Sequence, residues 1–312
     1  MGVVMETQTD AANHERESKH ILRQIQDHLG EMHVKLGALR ESVGMVEVYH
    51  HPSTNTPTLN YITPRKNTAW VSGSYLQQGL AYLTQQDRLP RVEYIEGLYP
   101  PAFARTLRDL GLGLERETLI MVYKPGGIAG HPTPMLVERP LPDGIVIRQV
   151  TDQEGIGQWW YVWRNGHFDV MSLGVEPLFV GQDMQANWTG QQLDYILYRG
   201  GFPAGVARVS FHKETAHILA MALLKEMRTP AMIQLLQMAA VKGALERGAK
   251  LVFAPGENEA ERRMARELGF MDFGSIVCYA APSGAAIGNH VNNGINSSVN
   301  NGNNLELSIL AF

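Results

Sequence analysis

Hydrophobic and polar positions along the chain follow two spacings, one typical of helices and one typical of strands. A spacing of three to four residues predicts helices over residues 18–40, 74–86, 100–110, 152–165, 231–247 and 258–270. Short runs rich in β-branched and aromatic residues predict strands over residues 46–50, 58–63, 91–97, 118–123, 145–150, 193–199, 205–212, 216–224, 250–255 and 275–280. Helices and strands therefore mix throughout, and we expect an α+β fold built on a mixed sheet.

Proline and glycine divide this pattern into two domains. The stretch 124–145 contains five prolines and four glycines, which is typical of a connecting segment. We therefore place a domain boundary near residue 140, with one domain over 18–140 and a second over 141–281. Residues 1–17 are polar and are predicted to be a disordered tail. Residues 282–312 are rich in Asn and Gly and are predicted to be a low-complexity tail, because they have too little apolar surface to bury.

The two domains share a repeated segment. The sequence RTLRDLGL at 105–112 matches RMARELGF at 263–270 in character at each position. Each follows an apolar helix and a short strand, and each precedes another strand ending in Tyr123 or Tyr279. This order suggests an internal duplication. Coincidence remains the alternative, because Leu-Gly is a common way to end a helix.

Composition and charge exclude several classes of protein. The formal net charge is −4 and basic residues form no stripe, so we expect neither a nucleic-acid partner nor a membrane partner. The single cysteine, Cys278, forms no internal disulfide and favours a cytoplasmic protein. No apolar run approaches the length of a membrane span. The polar N-terminus has no apolar core of the kind found in signal peptides.

Three segments of the C-terminal half resemble the GNAT superfamily of N-acetyltransferases. The segment GFPAGVARVSFHKETAHILAMALL (201–224) resembles the central hairpin of that family. The segment MRTPAMIQLLQMAAVKGALERGAKLVF (227–253) resembles its next helix and strand, and NEAERRMARELGFMDFG (258–274) resembles its last helix. The resemblance implies two tandem GNAT-like domains, the C-terminal one complete and the N-terminal one trimmed. It implies acetyl-CoA as co-substrate and no metal.

The resemblance also implies a set of cofactor-binding residues. The family's phosphate loop reads Gln/Arg-x-x-Gly-x-Gly/Ala, which an ungapped match places with Arg228 first and with Ala231 and Ile233 at the small-residue positions. Its glycines let a phosphate approach the helix N-terminus closely, whereas Ile233 is bulky and Pro230 lacks an N–H group. The cofactor-binding residues implied are Ala220, Met221, Ala222, Arg228, Thr229, Ala231, Met232, Ile233, Asn258 and Arg262. Arg228 is equally consistent with a surface arginine, and Asn258 with a helix N-cap.

Catalytic and acceptor residues follow from the same resemblance. His217 lies on the strand that supplies a base in the family, and its ordinary pKa suits that role. The family's acidic tyrosine is replaced by Ala265, so Tyr279 is the candidate acid. Trp159, Trp163 and Phe168 are candidates for an apolar acceptor site, and Glu93 is a candidate partner for a cationic amine. For His217, Tyr279 and the aromatic candidates, the alternative is a purely structural role. For Glu93, the alternative is a position at a solvated edge of the sheet.

The resulting hypothesis is acetyl-CoA-dependent acylation of a primary amine by direct attack in a ternary complex. The acceptor would be a small-molecule or peptide amine, and a homodimer is compatible with the sequence. The alternative hypothesis is a catalytically inactive GNAT-fold binding or interaction module. The substituted phosphate loop and the missing tyrosine favour that alternative.

Overall fold

The computed structural model describes residues 2–68, 70–128, 131–133, 136, 140–168 and 177–282. Its helices are α1 (Gly2–Lys35), α2 (Gly73–Gln85), α3 (Ala102–Asp109), α4 (Gln153–Phe168), α5 (Pro177–Trp188), α6 (Pro230–Glu246) and α7 (Glu259–Glu267). Its strands are β1 (Leu39–Val43), β2 (Val46–His50), β3 (Tyr61–Pro64), β4 (Arg91–Ile95), β5 (Gly113–Tyr123), β6 (Ile145–Gln149), β7 (Gln192–Arg199), β8 (Phe202–His212), β9 (Thr215–Leu223), β10 (Leu251–Gly256) and β11 (Met271–Ala280). The predicted mixture of helices and strands is confirmed.

Contacts between Cα atoms divide the chain into two compact units. The larger unit comprises the described residues of Met1–Ser18 and Ile120–Phe273, and the smaller unit comprises those of Lys19–Leu119 and Gly274–Phe312. The sequence placed its boundary near residue 140, whereas these units divide within β5 and within β11. Helix α1 begins at Gly2, where the sequence predicted a loose segment. The low-complexity tail was predicted over 282–312, and residues 283–312 of it lie outside the described residues.

The smaller unit is a sheet with two very different faces. Its strand order is β1-β2-β3-β4-β11-β5, with β1, β2 and β3 antiparallel and β3 parallel to β4. Helices α2 and α3 cover an apolar face, where Val46, Ile62 and Val92 are fully buried with Leu76 and Leu107. Since side chains alternate along each strand, the intervening residues of β2, β3 and β4 form the opposite face, which carries many polar side chains.

The larger unit has the strand order β5-β10-β9-β8-β7-β6. Strands β7, β8 and β9 form an antiparallel meander, and β9 then runs parallel to β10. Parallel neighbours need a crossover connection, which α6 supplies. Helix α6 approaches β7 closely, since a Cβ added at Gly243 would fall on the hydroxyl of Tyr195. A larger residue at position 243 would require the side chains of Tyr195 and Leu193 to move or the helix to shift.

The repeated segments end their helices in the same way. In α3 the Gly111 N–H donates to Arg108 O and the Leu112 N–H to Leu107 O. In α7 the Gly269 N–H donates to Arg266 O and the Phe270 N–H to Ala265 O. Gly111 and Gly269 both have positive φ, at 81° and 93°, which glycine adopts without strain. Helices α1, α5 and α6 end with the same pair of hydrogen bonds at Gly37, Gly190 and Gly248, which also have positive φ. The shared geometry therefore does not distinguish a duplication from a common helix ending.

A charged cluster lies in the core of the larger unit. Arg208 on β8 is 1% exposed, and it donates to Asp194 on β7 at 2.8 Å and to Asp183 on α5 at 2.7 Å. Its guanidinium lies 3.9 Å from the ring centre of Trp159, and the Trp160 Nε1–H donates to Asp183 at 2.8 Å. Burial raises the pKa of Asp183, although Arg208 opposes that shift. The cluster therefore joins α4, α5, β7 and β8. Each of its buried charges would be strongly destabilising without its partner.

The sequence missed two elements of this fold. Strand β1 reads LRESV and is exposed along most of its length, so its alternation of polar and apolar residues is weak. Helix α5 contains Pro, Gly and Trp without a clear apolar stripe. Among the helices that the structure describes, none is both long and apolar enough to cross a bilayer. The described residues also contain no group of three or more His, Cys, Asp or Glu placed to hold a metal ion.

We expect Arg208→Met to destabilise the protein by about 3–5 kcal/mol, because it leaves two buried carboxylates without their cation. Urea denaturation would measure the loss. The matched control is Arg148→Met at an exposed position of β6, for which we expect a change within about 0.5 kcal/mol. A small loss for Arg208→Met, equal to that of the control, would show that the charged cluster contributes nothing to stability.

Candidate functional site

Two parallel strands of the larger unit part toward their carboxyl ends, and we call the gap between them the cleft. Strands β9 and β10 pair only at Thr215 with Leu251, Ala216 with Val252 and His217 with Phe253. Strand β9 then continues to Leu223 and β10 to Gly256. Their carboxyl ends therefore separate beyond His217, which leaves one side of β9 without a partner strand among the described residues. Ligands of open α/β sheets bind at such carboxyl ends.

Strand β9 changes register on the cleft's edge. Ile218 pairs with Val209 and Ala220 with Arg208, so the register shifts by one residue at Leu219. Such a bulge bends a strand and re-aims its side chains. The predicted strand Ala220–Met221–Ala222 follows the bulge directly. Ala220 and Ala222 are buried, so it is the backbone of this strand that an extended ligand would pair with.

The first turn of α6 lies at the carboxyl end of β9 and is exposed at Thr229, Pro230 and Ala231. Thr229 is the N-cap, and its hydroxyl accepts the Met232 N–H at 3.3 Å. Its carbonyl accepts the Ile233 N–H at 3.1 Å. Pro230 has no N–H group to donate. Among the described residues of this turn, Ala231 therefore supplies the amide that is left for an anion, together with the helix dipole.

Arg228 is engaged by backbone carbonyls. Its Nε donates to Leu223 O at 3.1 Å, and its Nη2 donates to Gly166 O. Gly166 on α4 lies so close to β9 that a Cβ there would come within 2.9 Å of Leu223 O. Arg228 thus fastens the end of α4 to the end of β9 and sets the shape of the cleft mouth.

The start of α7 is capped in the way that the sequence allowed. The Asn258 side chain accepts the Glu261 N–H at 3.0 Å, as an N-cap does. Arg262 donates to Glu259 Oε2 at 2.8 Å and to Gly256 O at 3.3 Å. Arg262 therefore ties the first turn of α7 to the end of β10, on the opposite side of the cleft from β9.

The candidate base lies at the vertex of the cleft. His217 is 3% exposed, and its ring stacks on that of Phe253 with centroids 4.4 Å apart. These two residues form the last pair between β9 and β10. His217 therefore lies next to the opening, while its burial and stacking are those of a core residue.

Two of the candidate acceptor residues, Trp159 and Trp163, lie in the core of the larger unit. Trp159 is fully buried and its Nε1–H donates to Ala207 O at 3.1 Å. Trp163 is 5% exposed and stacks on Trp159. The side chain of Phe168 lies outside the described residues. The structure therefore uses both tryptophans to pack α4 against the sheet.

Two predicted site residues, Tyr279 and Glu93, belong to the smaller unit. Tyr279 lies in the apolar core, near Tyr94. Glu93 is buried and accepts from Arg116 at 2.8 Å. Burial raises the pKa of Glu93, and Arg116 opposes that shift. Neither residue lies in the unit that contains His217.

A small recess of about 30 Å³ opens in the smaller unit on the polar face of its sheet. It begins where β3 and β4 part, since these parallel strands pair only at Ile62 with Val92. Strands β1 to β4 and β11 and helix α1 line it, through Gln26, Asp27, Leu29, Gly30, Arg40, Glu47, Tyr49, Tyr61, Thr63, Pro64, Lys66, Glu93, Tyr94, Ile95 and Ile276. Gly30 allows α1 to approach, because a Cβ there would lie 2.5 Å from the Tyr49 hydroxyl.

Sequence reasoning missed most of this recess. It identified Glu93, but not Tyr49, Tyr61 or Glu47. The signal lies in the strands VEVYH (46–50) and YITP (61–64), which place Glu47, Tyr49, Tyr61 and Thr63 on one face. In a strand that is predicted to be buried, polar residues that alternate with apolar ones indicate that one face of the strand is both polar and buried.

Aromatic and imidazole rings form the floor near this recess. The rings of Tyr49 and Tyr61 stack with centroids 4.9 Å apart, and His33 Nδ1 lies 2.8 Å from the Tyr61 hydroxyl. Burial raises the pKa of Tyr49 to about 12. Burial, reinforced by the charge of Arg116, lowers the pKa of His33 to about 3. At neutral pH these rings are therefore uncharged.

Solved structures share this fold at low sequence identity. A GCN5-related N-acetyltransferase from Kribbella flavida is 16% identical, with a TM-score of 0.66 over 85% of this chain and 96% of that one. One from Sphaerobacter thermophilus is 13% identical, with a TM-score of 0.50 over 77% and 81%. A tandem GNAT protein from the clavulanic acid biosynthesis pathway is 14% identical, with a TM-score of 0.51 over 76% and 78%. The fold that the sequence resemblance predicted is confirmed.

Sequence comparison adds nothing to this structural likeness. No family model matches the chain, and no curated protein matches it.

We expect the protein to lose stability as the pH falls below about 6.5, in part through His33. Its pKa is about 3 in the folded state against an ordinary 6.5, so the unfolded chain binds a proton that the folded one does not. The contribution is complete above the unfolded pKa and is lost as the pH falls toward the folded one. Urea midpoints measured at about pH 7.5 and about pH 5 should decline less in His33→Gln than in the wild type.

The exposed His20 supplies the control, since His20→Gln should keep the decline of the wild type. If His33→Gln declines as steeply as the wild type, the buried imidazole is not a source of acid sensitivity.

Proposed function

We propose that this chain, which has the fold of the GCN5-related N-acetyltransferases, is an acyl-CoA-dependent N-acyltransferase that acylates a primary amine. The observation that carries the proposal is the parting of β9 from β10 after His217 and Phe253. It leaves an unpaired strand edge for the amide groups of an acyl-CoA arm and sets the start of α6 beside it. The proposed co-substrate is acetyl-CoA.

The fit of that co-substrate differs between the two halves of the cleft. The edge of β9 supplies backbone groups, which do not depend on side-chain identity. The turn that would hold the pyrophosphate is poorer, because Pro230 has no N–H and Thr229 takes that of Met232. The proposed contacts are those of the Ala231 N–H and of the dipole of the α6 N-terminus, both open to solvent.

In the proposed reaction a neutral amine attacks the thioester carbonyl carbon in a ternary complex. A C–N bond forms, the C–S bond breaks, and the amine loses a proton while the thiolate leaves. We assign His217 as the candidate acceptor of that proton, because it lies at the vertex of the cleft. Tyr279 has no part in this proposal, since it packs in the apolar core of the smaller unit. Positioning of the two substrates would supply much of the rate.

A second candidate function is a binding module with this fold that has lost turnover. The observation that favours it is the first turn of α6, where Pro230 and the Thr229 cap leave few amides for a phosphate. The two candidates make opposite predictions for acetyl-CoA. A ligand that binds the native state stabilises it by mass action and so raises the unfolding temperature. At a ligand concentration of about 100 times Kd the free energy of unfolding rises by about 2.7 kcal/mol.

We expect acetyl-CoA to raise the unfolding temperature of the wild type and Ala231→Glu to abolish that shift. The new carboxylate would repel the pyrophosphate, while a negative charge at a helix N-terminus stabilises the free protein by about 0.3–1 kcal/mol. Thermal unfolding with and without acetyl-CoA measures both effects. The control Ala81→Glu, at an exposed position of α2, should retain the full shift.

The outcomes separate the candidates. An unchanged shift in Ala231→Glu would remove the α6 N-terminus from the proposed site. If the wild type shows no shift at millimolar acetyl-CoA, acetyl-CoA is excluded as the co-substrate and the binding module is favoured. If it shows a shift, release of free thiol over a panel of primary amines tests turnover.

A further inference from the structure

We propose that the recess in the smaller unit is a binding site for an aliphatic primary ammonium ion, held by the carboxylate of Glu47. The site lies on the polar face of the β1–β4 sheet beneath α1. It does not depend on the proposed acyl-transfer function, which concerns the larger unit.

The charges around the recess leave one carboxylate without a cation. Of its acidic residues, Asp27 pairs with Lys66 and Glu93 pairs with Arg116 at 2.8 Å. Arg40 pairs with Glu31 at 2.7 Å and also hydrogen-bonds Tyr49. Glu47 accepts only the Tyr49 hydroxyl, at 3.2 Å, and has no ion-pair partner in the described part of the chain. The recess therefore carries one uncompensated negative charge.

The surroundings of Glu47 strengthen the attraction for a cation. Glu47 is half-buried, so its field is screened less than that of a surface carboxylate. The buried rings of Tyr49 and Tyr61 stack on each other beside it and line the recess, which lowers the local dielectric and weakens screening further. A charge-assisted hydrogen bond from an ammonium to Glu47 would be stronger than the one from the Tyr49 hydroxyl.

The remaining lining selects an aliphatic body. Leu29, Pro64, Ile95 and Ile276 contribute apolar surface to the recess, which favours a hydrocarbon chain over a polar one. The Lys66–Asp27 pair in the same lining is an ammonium–carboxylate contact of the chemistry proposed. An alkyl chain ending in an ammonium group matches this arrangement of one free carboxylate and an apolar wall.

The experiment uses the full chain without acetyl-CoA and the probe n-butylammonium, with n-butanol as a neutral probe of the same length. Isothermal titration should show saturable binding of n-butylammonium and at least about tenfold weaker binding of n-butanol. Glu47→Gln keeps an acceptor for the Tyr49 hydroxyl but removes the charge, and should weaken n-butylammonium binding about tenfold or more. Equal affinity for the two probes, or an unchanged affinity in Glu47→Gln, would overturn the proposal.

Two controls keep the result interpretable. Glu41→Gln removes an exposed carboxylate of β1 that does not line the recess, and should leave the affinity unchanged. In the wild type, nuclear Overhauser effects between the butyl chain and the methyl groups of Ile95 and Ile276 should place the probe in the recess. Saturable binding without those effects would also overturn the proposal. Ala231→Glu should bind the probe normally, so that failure at one site is distinguished from failure at the other.

Discussion

The short parallel pairing of β9 with β10 is the constraint on which the rest of the larger unit depends. A parallel pair cannot be closed by a tight turn, so the chain must cross over through α6 before β10 forms. Because the pairing stops at His217 and Phe253, the strands diverge and the crossover helix begins at the open end. A continuous ladder between these strands would leave no edge for a ligand and no cleft in front of α6.

The same arrangement recurs in the smaller unit with a different outcome. There β3 and β4 are parallel, are joined through α2, and pair only at Ile62 with Val92. Helix α1 covers the face beside the opening, and Gly30 lets it approach Tyr49 closely. Carboxylates and tyrosines line the resulting recess, whereas the cleft of the larger unit presents backbone and a helix N-terminus. The two openings therefore differ in the chemistry of their linings.

Both units bury charge, and in both the charges are paired. Arg208 joins Asp183 and Asp194 in the larger unit. In the smaller unit Arg91 pairs with Glu115 at 2.8 Å, and Arg116 pairs with Glu93. Removing one partner of such a pair leaves an unpaired buried charge, which costs far more than the pair contributes. These pairs therefore specify which strands and helices pack together, and they explain why most polar residues of the recess are already committed. Glu47 stands out because it is not.

The sequence by itself determined the elements whose periodicity is strong. It predicted strand 46–50 at the bounds of β2, and it placed α6 and α7 within a few residues of their ends. It also determined the helix-ending Leu-Gly repeat, because that motif depends on local backbone geometry. It could not find β1, whose residues are mostly exposed. It also left two roles open for Glu93, a partner for a cationic amine or a residue at a solvated edge.

Only the tertiary structure decided what the polar residues do. Whether Arg228 faces a ligand or the carbonyls of Gly166 and Leu223 depends on where α4 ends against β9. Whether the carboxylate of Glu47 or of Glu93 lacks an ion-pair partner depends on which arginines lie beside it on other strands. Local pattern fixes which face of a strand a side chain occupies, but a charge is neutralised by residues distant in sequence. That is why the fold could be predicted from the chain and the candidate sites could be predicted only in part.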